Sequence, residues 1–164
     1  MKKILFTMII ALLLNGCSLL PPQKQVSIEN ENKNQSDTPK TKKLDLSNQN
    51  LQKIPEYVFN RTSLEELDVS NNQLTGAVQA EIRHLQNLKI LDMSNNQMTG
   101  VPAEIGQLQN LQVLDLSNNK LTGLPYELGN LKNLRTLDIS GNDYSETDLG
   151  IIQKELPKDA KIIR

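Results

Sequence analysis

The sequence predicts an α/β solenoid. Stacked coils each lend one short strand to a sheet and one short helical turn that returns the chain, and a helix caps the C-terminal end. Three observations predict it. The phrase Leu-Asp-(apolar)-Ser-Asn recurs as Leu44-Asp45-Leu46-Ser47-Asn48, Leu67-Asp68-Val69-Ser70-Asn71, Leu91-Asp92-Met93-Ser94-Asn95 and Leu114-Asp115-Leu116-Ser117-Asn118; a fifth copy, Leu137-Asp138-Ile139-Ser140, ends in Gly141. Successive copies are 23, 24, 23 and 23 residues apart, and a fixed period in this range marks a solenoid. Within each copy, as in Ile90-Leu91-Asp92-Met93, apolar residues fall into the period of two that a strand needs. A solenoid presents a repeated surface and binds with it, whereas catalysis needs unlike groups converging on one point.

The chain has 164 residues and a net charge of −1, which suggests one domain with appendages. Aromatics are few while Leu and Asn abound, which fits a core of stacked aliphatic layers. The charge is too balanced to argue for a nucleic-acid partner. Cys17 is the sole cysteine and His84 the sole histidine. No intrachain disulfide can form, and no Cys/His metal cluster can be assembled.

Residues 1–16 read as an export signal. Met1-Lys2-Lys3 is a short cationic start, Ile4 to Leu14 is apolar except for Thr7, and Gly16 precedes Cys17. The apolar stretch as a helix spans about 17 Å against about 30 Å of hydrocarbon, too short for an ordinary membrane span. Leu14-Asn15-Gly16-Cys17 resembles the bacterial lipoprotein lipobox. The resemblance implies that Cys17 is lipidated on its sulfur and becomes the first residue of the mature chain. The alternatives are an ordinary signal with a chance cysteine, or an uncleaved anchor. Two or more acyl chains give stable anchoring. By the same resemblance, Ser18 after the cysteine favours the outer membrane in a two-membrane bacterium. With Cys17 as the lipidated residue, 17–40 forms a flexible tether: Pro21-Pro22, Asn30 to Ser36 and Pro39 are polar or helix-breaking, with little apolar surface to bury. Its reach is roughly 26 Å.

Residues 41–142 form five units. Leu64, Leu88, Leu111 and Leu134 open the last four, with Thr41 in that place in the first. Asn72, Asn96, Asn119 and Asn142 recur at one fixed position, where an inward amide can satisfy backbone groups of neighbouring coils; Gln49 stands there in the first unit. The second half of each unit returns the chain. Val101-Pro102-Ala103-Glu104-Ile105 and Leu124-Pro125-Tyr126-Glu127-Leu128 predict short helical turns with Pro at the first helical position and a following Glu suited to the N-terminus. Glu81, Glu104 and Glu127 are therefore read as structural. Ile105, Leu108, Leu128 and Leu131 are predicted to point inward.

The pattern L-x-x-L-x-L-x-x-N-x-L, with its leucines, Asn positions and Leu-Pro pairs in phase, resembles the leucine-rich repeat family. The resemblance covers about Thr41 to Asn142 and implies a short, curved, right-handed solenoid with parallel strands on its concave face and the short helical turns on its convex face. Thr75-Gly76, Thr99-Gly100 and Thr122-Gly123 resemble the plant-type subclass. Two departures stand out: the second unit is one residue longer and carries Gln79 where a proline is expected, and the first has Arg61 at a usual leucine place with Phe59 filling in. Residues 143–164 read as the cap that a bare repeat face requires. Ser145-Glu146-Thr147-Asp148 resembles a capping box. It opens a helix through about Leu156 with Leu149, Ile152 and Leu156 on one stripe; Pro157 stops it, and Lys161-Ile162-Ile163 is expected to return as a sixth short strand.

No catalytic set is found: His84 has no suitable neighbours for a triad, and no phosphate-cradling Gly loop or metal-ligand spacing occurs. Neither a cofactor nor a small-molecule substrate is expected, and the reading is not an enzyme. Asp45, Asp68, Asp92, Asp115 and Asp138 share one strand position, about 4.8 Å from strand to strand. They could form a cation strip, mark a site for a basic partner, or simply be the residue the family places there. A single acidic row offers few ligands where Ca²⁺ takes six to eight, so a basic partner is preferred. The variable strand positions carry more information. They are Lys43, Glu66, Ile90, Val113 and Thr136 in one row, and Lys42, Glu65, Lys89, Gln112 and Arg135 in the next. Ile90 and Val113 are adjacent and central, a contact site unless they are merely two exposed aliphatics. Candidate partner-binding residues are Glu66, Asp68, Lys89, Ile90, Asp92, Val113, Asp115, Arg135, Thr136 and Asp138. The expected protein is a lipid-anchored module of the cell envelope that binds another protein through its concave face. The alternative is a structural or cell-wall and glycan-associated lipoprotein, which the absence of Trp disfavours.

Overall fold

The computed structural model describes residues 42–164, so the expected signal, Cys17 and the expected tether lie outside the described residues. The strands in chain order are β1 (Lys43–Asp45), β2 (Glu66–Asp68), β3 (Thr75–Gly76), β4 (Ile90–Asp92), β5 (Gln97–Met98), β6 (Val113–Asp115), β7 (Thr136–Asp138) and β8 (Lys161–Ile163). Six of them form one parallel sheet in the order β1-β2-β4-β6-β7-β8. The register stacks Leu44, Leu67, Leu91, Leu114, Leu137 and Ile162 in one line. Period-two alternation puts these residues on the inner side, and Leu67, Leu91, Leu114 and Leu137 are buried.

Four 3-10 turns form the opposite face: Glu56–Asn60, Ala80–His84, Ala103–Gln107 and Tyr126–Asn130. Their inward residues Val58, Ile82, Ile105 and Leu128 are fully buried, as are Leu85, Leu108 and Leu131 one turn on. Each such aliphatic contributes about 1.5–3 kcal/mol by leaving water. Phe59 is buried and Arg61 half-exposed. The prolines sit one place earlier than the sequence predicts. Pro55, Pro102 and Pro125 precede the first helical residue, with ψ of 137°, 143° and 135°. Their extended ψ keeps them outside the turn, while their carbonyls accept from Val58, Ile105 and Leu128 N–H at 3.0–3.2 Å. Gln79 takes the same role in the second unit (φ −65°, ψ 141°).

The extra residue of the second unit is Ala77, which follows Gly76. Gly76 absorbs it by adopting a left-handed φ of +66°, a conformation open to glycine at little cost. At this point β3 and β5 form a separate two-stranded parallel ladder, Thr75 opposite Gln97 and Gly76 opposite Met98. Neither Thr99-Gly100 nor Thr122-Gly123 forms a strand.

The cap consists of α1 (Glu146–Glu155) and β8. Ser145 is the N-cap, its Oγ accepting from Asp148 N–H at 3.2 Å. The reciprocal half of a capping box is not made. The Asp148 carboxylate accepts instead from Leu124 N–H at 3.4 Å and from the Tyr126 hydroxyl at 3.3 Å, joining the cap to the fourth turn. α1 buries Leu149 and Ile152, and Leu156 just beyond its end is buried too. Pro157 follows, and β8 adds Lys161–Ile163 in parallel beside β7.

Candidate functional site

The exposed side of the six-stranded sheet carries the residues that the repeat does not dictate. One line of register partners runs Lys43, Glu66, Ile90, Val113, Thr136 and Lys161; a second runs Asp45, Asp68, Asp92, Asp115, Asp138 and Ile163. Immediately ahead of the strands lie Lys42, Glu65, Lys89, Gln112 and Arg135, linked by main-chain hydrogen bonds of 2.7–2.8 Å from each N–H to the previous carbonyl.

The aspartates are fixed locally. Each Oδ1 accepts from the N–H of the serine two residues on: Ser47, Ser70, Ser94 and Ser117 at 2.9 Å and Ser140 at 3.0 Å. The hydroxyls of Ser47, Ser94 and Ser140 donate to the same oxygens at 2.7–2.8 Å. Such an Asx turn ends the strand and feeds the chain into a left-handed residue. That residue is Asn48, Asn71, Asn95 or Asn118, with φ of 53–59°, and Gly141 at 67° in the fifth coil. The recurring Ser-Asn and its Gly variant are thus a backbone requirement, since Asn and Gly tolerate this region best. The Ser47 N–H holds the Asp45 carboxyl below its ordinary range. Burial pushes the Asp115 carboxyl up; hydrogen bonds from Ser117 oppose this, and the flanking charges of Asp92 and Asp138 add to it.

The ladder position is occupied as an inward amide. Asn96 accepts from Leu74 N–H at 3.0 Å and donates to the carbonyls of Val69, Met93 and Ser94 at 3.0, 3.1 and 3.0 Å. Asn72, Asn119 and Asn142 repeat the arrangement. A second, outer amide ladder was not anticipated: Asn87, Asn110 and Asn133 donate to the carbonyls of Thr62, Gln86 and Gln109 one coil back at 2.8–2.9 Å. Its signal was present in the sequence, as an Asn directly before Leu88, Leu111 and Leu134.

The charges divide the face into two halves. In the N-terminal half, Glu65 bridges Lys42 at 2.5 Å and Lys89 at 2.7 Å, and Lys43 pairs with Glu66 at 3.3 Å. The two lysines, Lys42 first, hold the Glu65 carboxyl below its usual range. In the C-terminal half, Gln112 interrupts the alternation. Arg135 and Lys161 are exposed, and among the described residues no carboxylate lies within ion-pairing distance of either. Ile90, 37% exposed, lies opposite the half-exposed Val113 between these halves.

On the convex side, Glu56, Phe59, Asn60, Gln79, Glu81 and His84 line an open cleft of about 400 Å³. Among the described residues no group of three or more His, Cys, Asp or Glu could hold a metal ion, and no helix is long and apolar enough to cross a membrane.

The model of a leucine-rich repeat region matches residues 6–147. Similar solved structures include a leucine-rich repeat protein of Leptospira interrogans, 40% identical, with a TM-score of 0.63, covering 68% of this chain and 28% of that one. The ectodomain of the receptor kinase SOBIR1 from Arabidopsis thaliana is 38% identical, with a TM-score of 0.52, covering 57% of this chain and 51% of that one. The ectodomain of the Arabidopsis thaliana receptor kinase GASSHO1/SCHENGEN3, in complex with CASPARIAN STRIP INTEGRITY FACTOR 2, is 33% identical, with a TM-score of 0.56, covering 68% and 13%. The chain thus spans about half or less of these proteins' lengths. No curated protein matches it. Leucine-rich repeat regions are mostly non-catalytic protein-interaction modules. With the family model matching most of the sequence, and with strand, turn and amide ladder repeating in phase, the chain belongs to the leucine-rich repeat family.

Proposed function

We propose that the protein is a lipid-anchored module of the bacterial cell envelope that binds another protein, without catalysis, through the concave sheet. The observation that carries this is the pairing of Ile90 with Val113 at the centre of the sheet. The repeat demands neither residue there, and both face solvent between charged neighbours. We read these two adjacent apolar groups as the centre of a contact surface. Cys17 in its lipobox-like setting supplies the anchor, to the outer membrane where there are two.

Size limits what this face can do alone. Six strands span about 24–29 Å with roughly 13 Å of usable length each, a few hundred Å² against about 800 Å² per partner in a standard interface. The partner therefore also uses the loops after Asn72, Asn96 and Asn119, or binds weakly, or meets several anchored copies through avidity.

The test is crosslinking in intact cells, comparing wild type with Ile90→Lys/Val113→Glu. This pair leaves the Asp–Ser turns untouched, and its opposite charges face each other in register. A discrete partner captured by wild type and lost with the folded variant supports the reading. Equal capture by both moves the interface off the concave sheet. Release of the protein from membranes on replacing Cys17 tests the anchor.

A further inference from the structure

We propose that the C-terminal half of the concave sheet takes an acidic peptide segment of the partner, with a carboxylate held between Arg135 and Lys161 and an aliphatic side chain against Ile90 and Val113. This rests on the concave-face reading above and narrows it to one ligand chemistry.

The placement comes from the register. Lys161 lies opposite Thr136, and its N–H donates to the Arg135 carbonyl at 2.8 Å, so the two cations emerge from adjoining strands at one corner of the sheet. Thr136 in turn lies opposite Val113, and Val113 opposite Ile90. A segment crossing the strands meets a cationic corner, a small neutral step and an apolar centre in that order, at about 4.8 Å per strand.

The selectivity comes from what is already paired. Lys42, Lys43 and Lys89 are each ion-paired, Lys42 and Lys89 sharing Glu65 and Lys43 taking Glu66, which leaves one net positive charge among these five groups. Arg135 and Lys161 have no such partner among the described residues. The guanidinium offers a planar fork that matches a carboxylate with two parallel hydrogen bonds, and the ammonium adds a second charge.

The aspartate row weakens this attraction but acts from further away than the direct contact. Asp138 stands two residues beyond Thr136 along the strand, about 7 Å away and just inside the screening length at physiological salt, whereas the two cations would meet the carboxylate at hydrogen-bonding distance. The Asp138 Oδ1 accepts from Ser140, which fixes the carboxylate in place. The row also repels a second carboxylate further along the strands and so orients the segment. At this corner the proposal sets an acidic segment against the basic partner that the aspartates alone suggest.

The experiment is selection from a displayed library of random peptides against the full chain, against Arg135→Glu/Lys161→Glu, and against Ile90→Lys/Val113→Glu. The wild-type pool is expected to be enriched in Asp or Glu beside Ile, Leu or Val. Its peptides should bind the charge-reversed pair at least tenfold more weakly, and that variant should select Lys and Arg instead. Unchanged thermal unfolding of the charge-reversed protein shows that its fold is kept. A wild-type pool without acidic enrichment, or no selectable peptide, overturns the proposal. Acidic peptides that lose affinity on Ile90→Lys/Val113→Glu but not on charge reversal overturn it and leave the concave-face reading standing. Insensitivity to both pairs overturns both.

Discussion

Asn72 and Asn96 donate to one and the same carbonyl, that of Val69, at 2.9 and 3.0 Å, one from the same coil and one from the next. Asn96 and Asn119 share the Met93 carbonyl in the same way, and Asn119 and Asn142 share that of Leu116. Each strand end is thus tied to two coils by amides. Removing one leaves the shared carbonyls half-satisfied and one N–H, that of Leu74 in the case of Asn96, without its acceptor. Asn96→Ala is therefore expected to cost about 2–4 kcal/mol, and Asn133→Ala on the exposed outer ladder under about 1 kcal/mol. Chemical denaturation of the two variants measures the contrast; equal losses would show that the buried amides hold the coils no more tightly than the outer ones.

The convex turns give a pair of opposite glycine predictions. A Cβ on Gly106 would lie 2.7 Å from the Glu127 carbonyl carbon and closer still to its oxygen. Backbone cannot move aside cheaply, so Gly106→Ala should lower the unfolding temperature and cost about 1–3 kcal/mol through overpacking. Gly150, inside α1, would present a Cβ to open space. Gly150→Ala should raise stability by about 0.4–1 kcal/mol, because alanine restricts the unfolded chain and favours helix. Thermal unfolding should shift in opposite directions for the two.

The strands were legible because burial on one side of a sheet enforces period two, and the coil period repeats it five times. Lys161-Ile162-Ile163, outside the repeats, was legible as a further strand from its paired β-branched residues after the stop at Pro157. The prolines were misplaced by one residue because the ring fixes φ, whereas the distinction between cap and first helical residue lies in ψ. The half-made capping box has another cause: Ser-x-x-Asp specifies the Ser145 hydroxyl bond, but Asp148 meets groups of the previous coil that no local pattern contains. At the site, the aspartate row was visible and its engagement by serine was only partly so. The pair of cations left without a carboxylate partner among the described residues was not. Arg135 stood at the end of an alternating row, but Lys161 joins it only through the register of β8, set by the length of α1 and the loop after it.

Burial of Asp115 between Asp92 and Asp138 predicts a pH effect. Its folded-state pKa lies above the unfolded value, so the folded protein holds the proton more tightly. The stability this group contributes is fully present below the unfolded carboxylate pKa and is lost as the pH rises through the folded value. Asp115→Asn keeps an oxygen for the Ser117 N–H and removes the charge. It should melt higher than wild type near neutral pH, with the difference vanishing toward about pH 3, below the ordinary carboxylate range. Solvent screening of this half-exposed group keeps the difference small. A gap that stays constant across that range would mean that the charge at this position is not what burial penalises.

Gln79 replaces proline in the second coil by doing what proline cannot. Its side-chain Nε2 donates to the Ile54 carbonyl of the first coil at 2.6 Å, while its backbone keeps the φ of −65° that proline has elsewhere. Two terms therefore oppose each other in Gln79→Pro. The ring restricts the unfolded chain, worth about 0.4–1 kcal/mol. The lost hydrogen bond costs about 0.5–1.5 kcal/mol. Gln79→Pro should fall within about 1 kcal/mol of wild type, whereas Gln79→Ala, which loses the bond and gains no restriction, should be the less stable of the two. Denaturant midpoints for both variants decide the matter. If alanine matched proline with both below wild type, the amide bridge to Ile54 would be contributing and the ring's restriction of the backbone would not; if both matched wild type, the bridge between the first two coils would carry no stability at all.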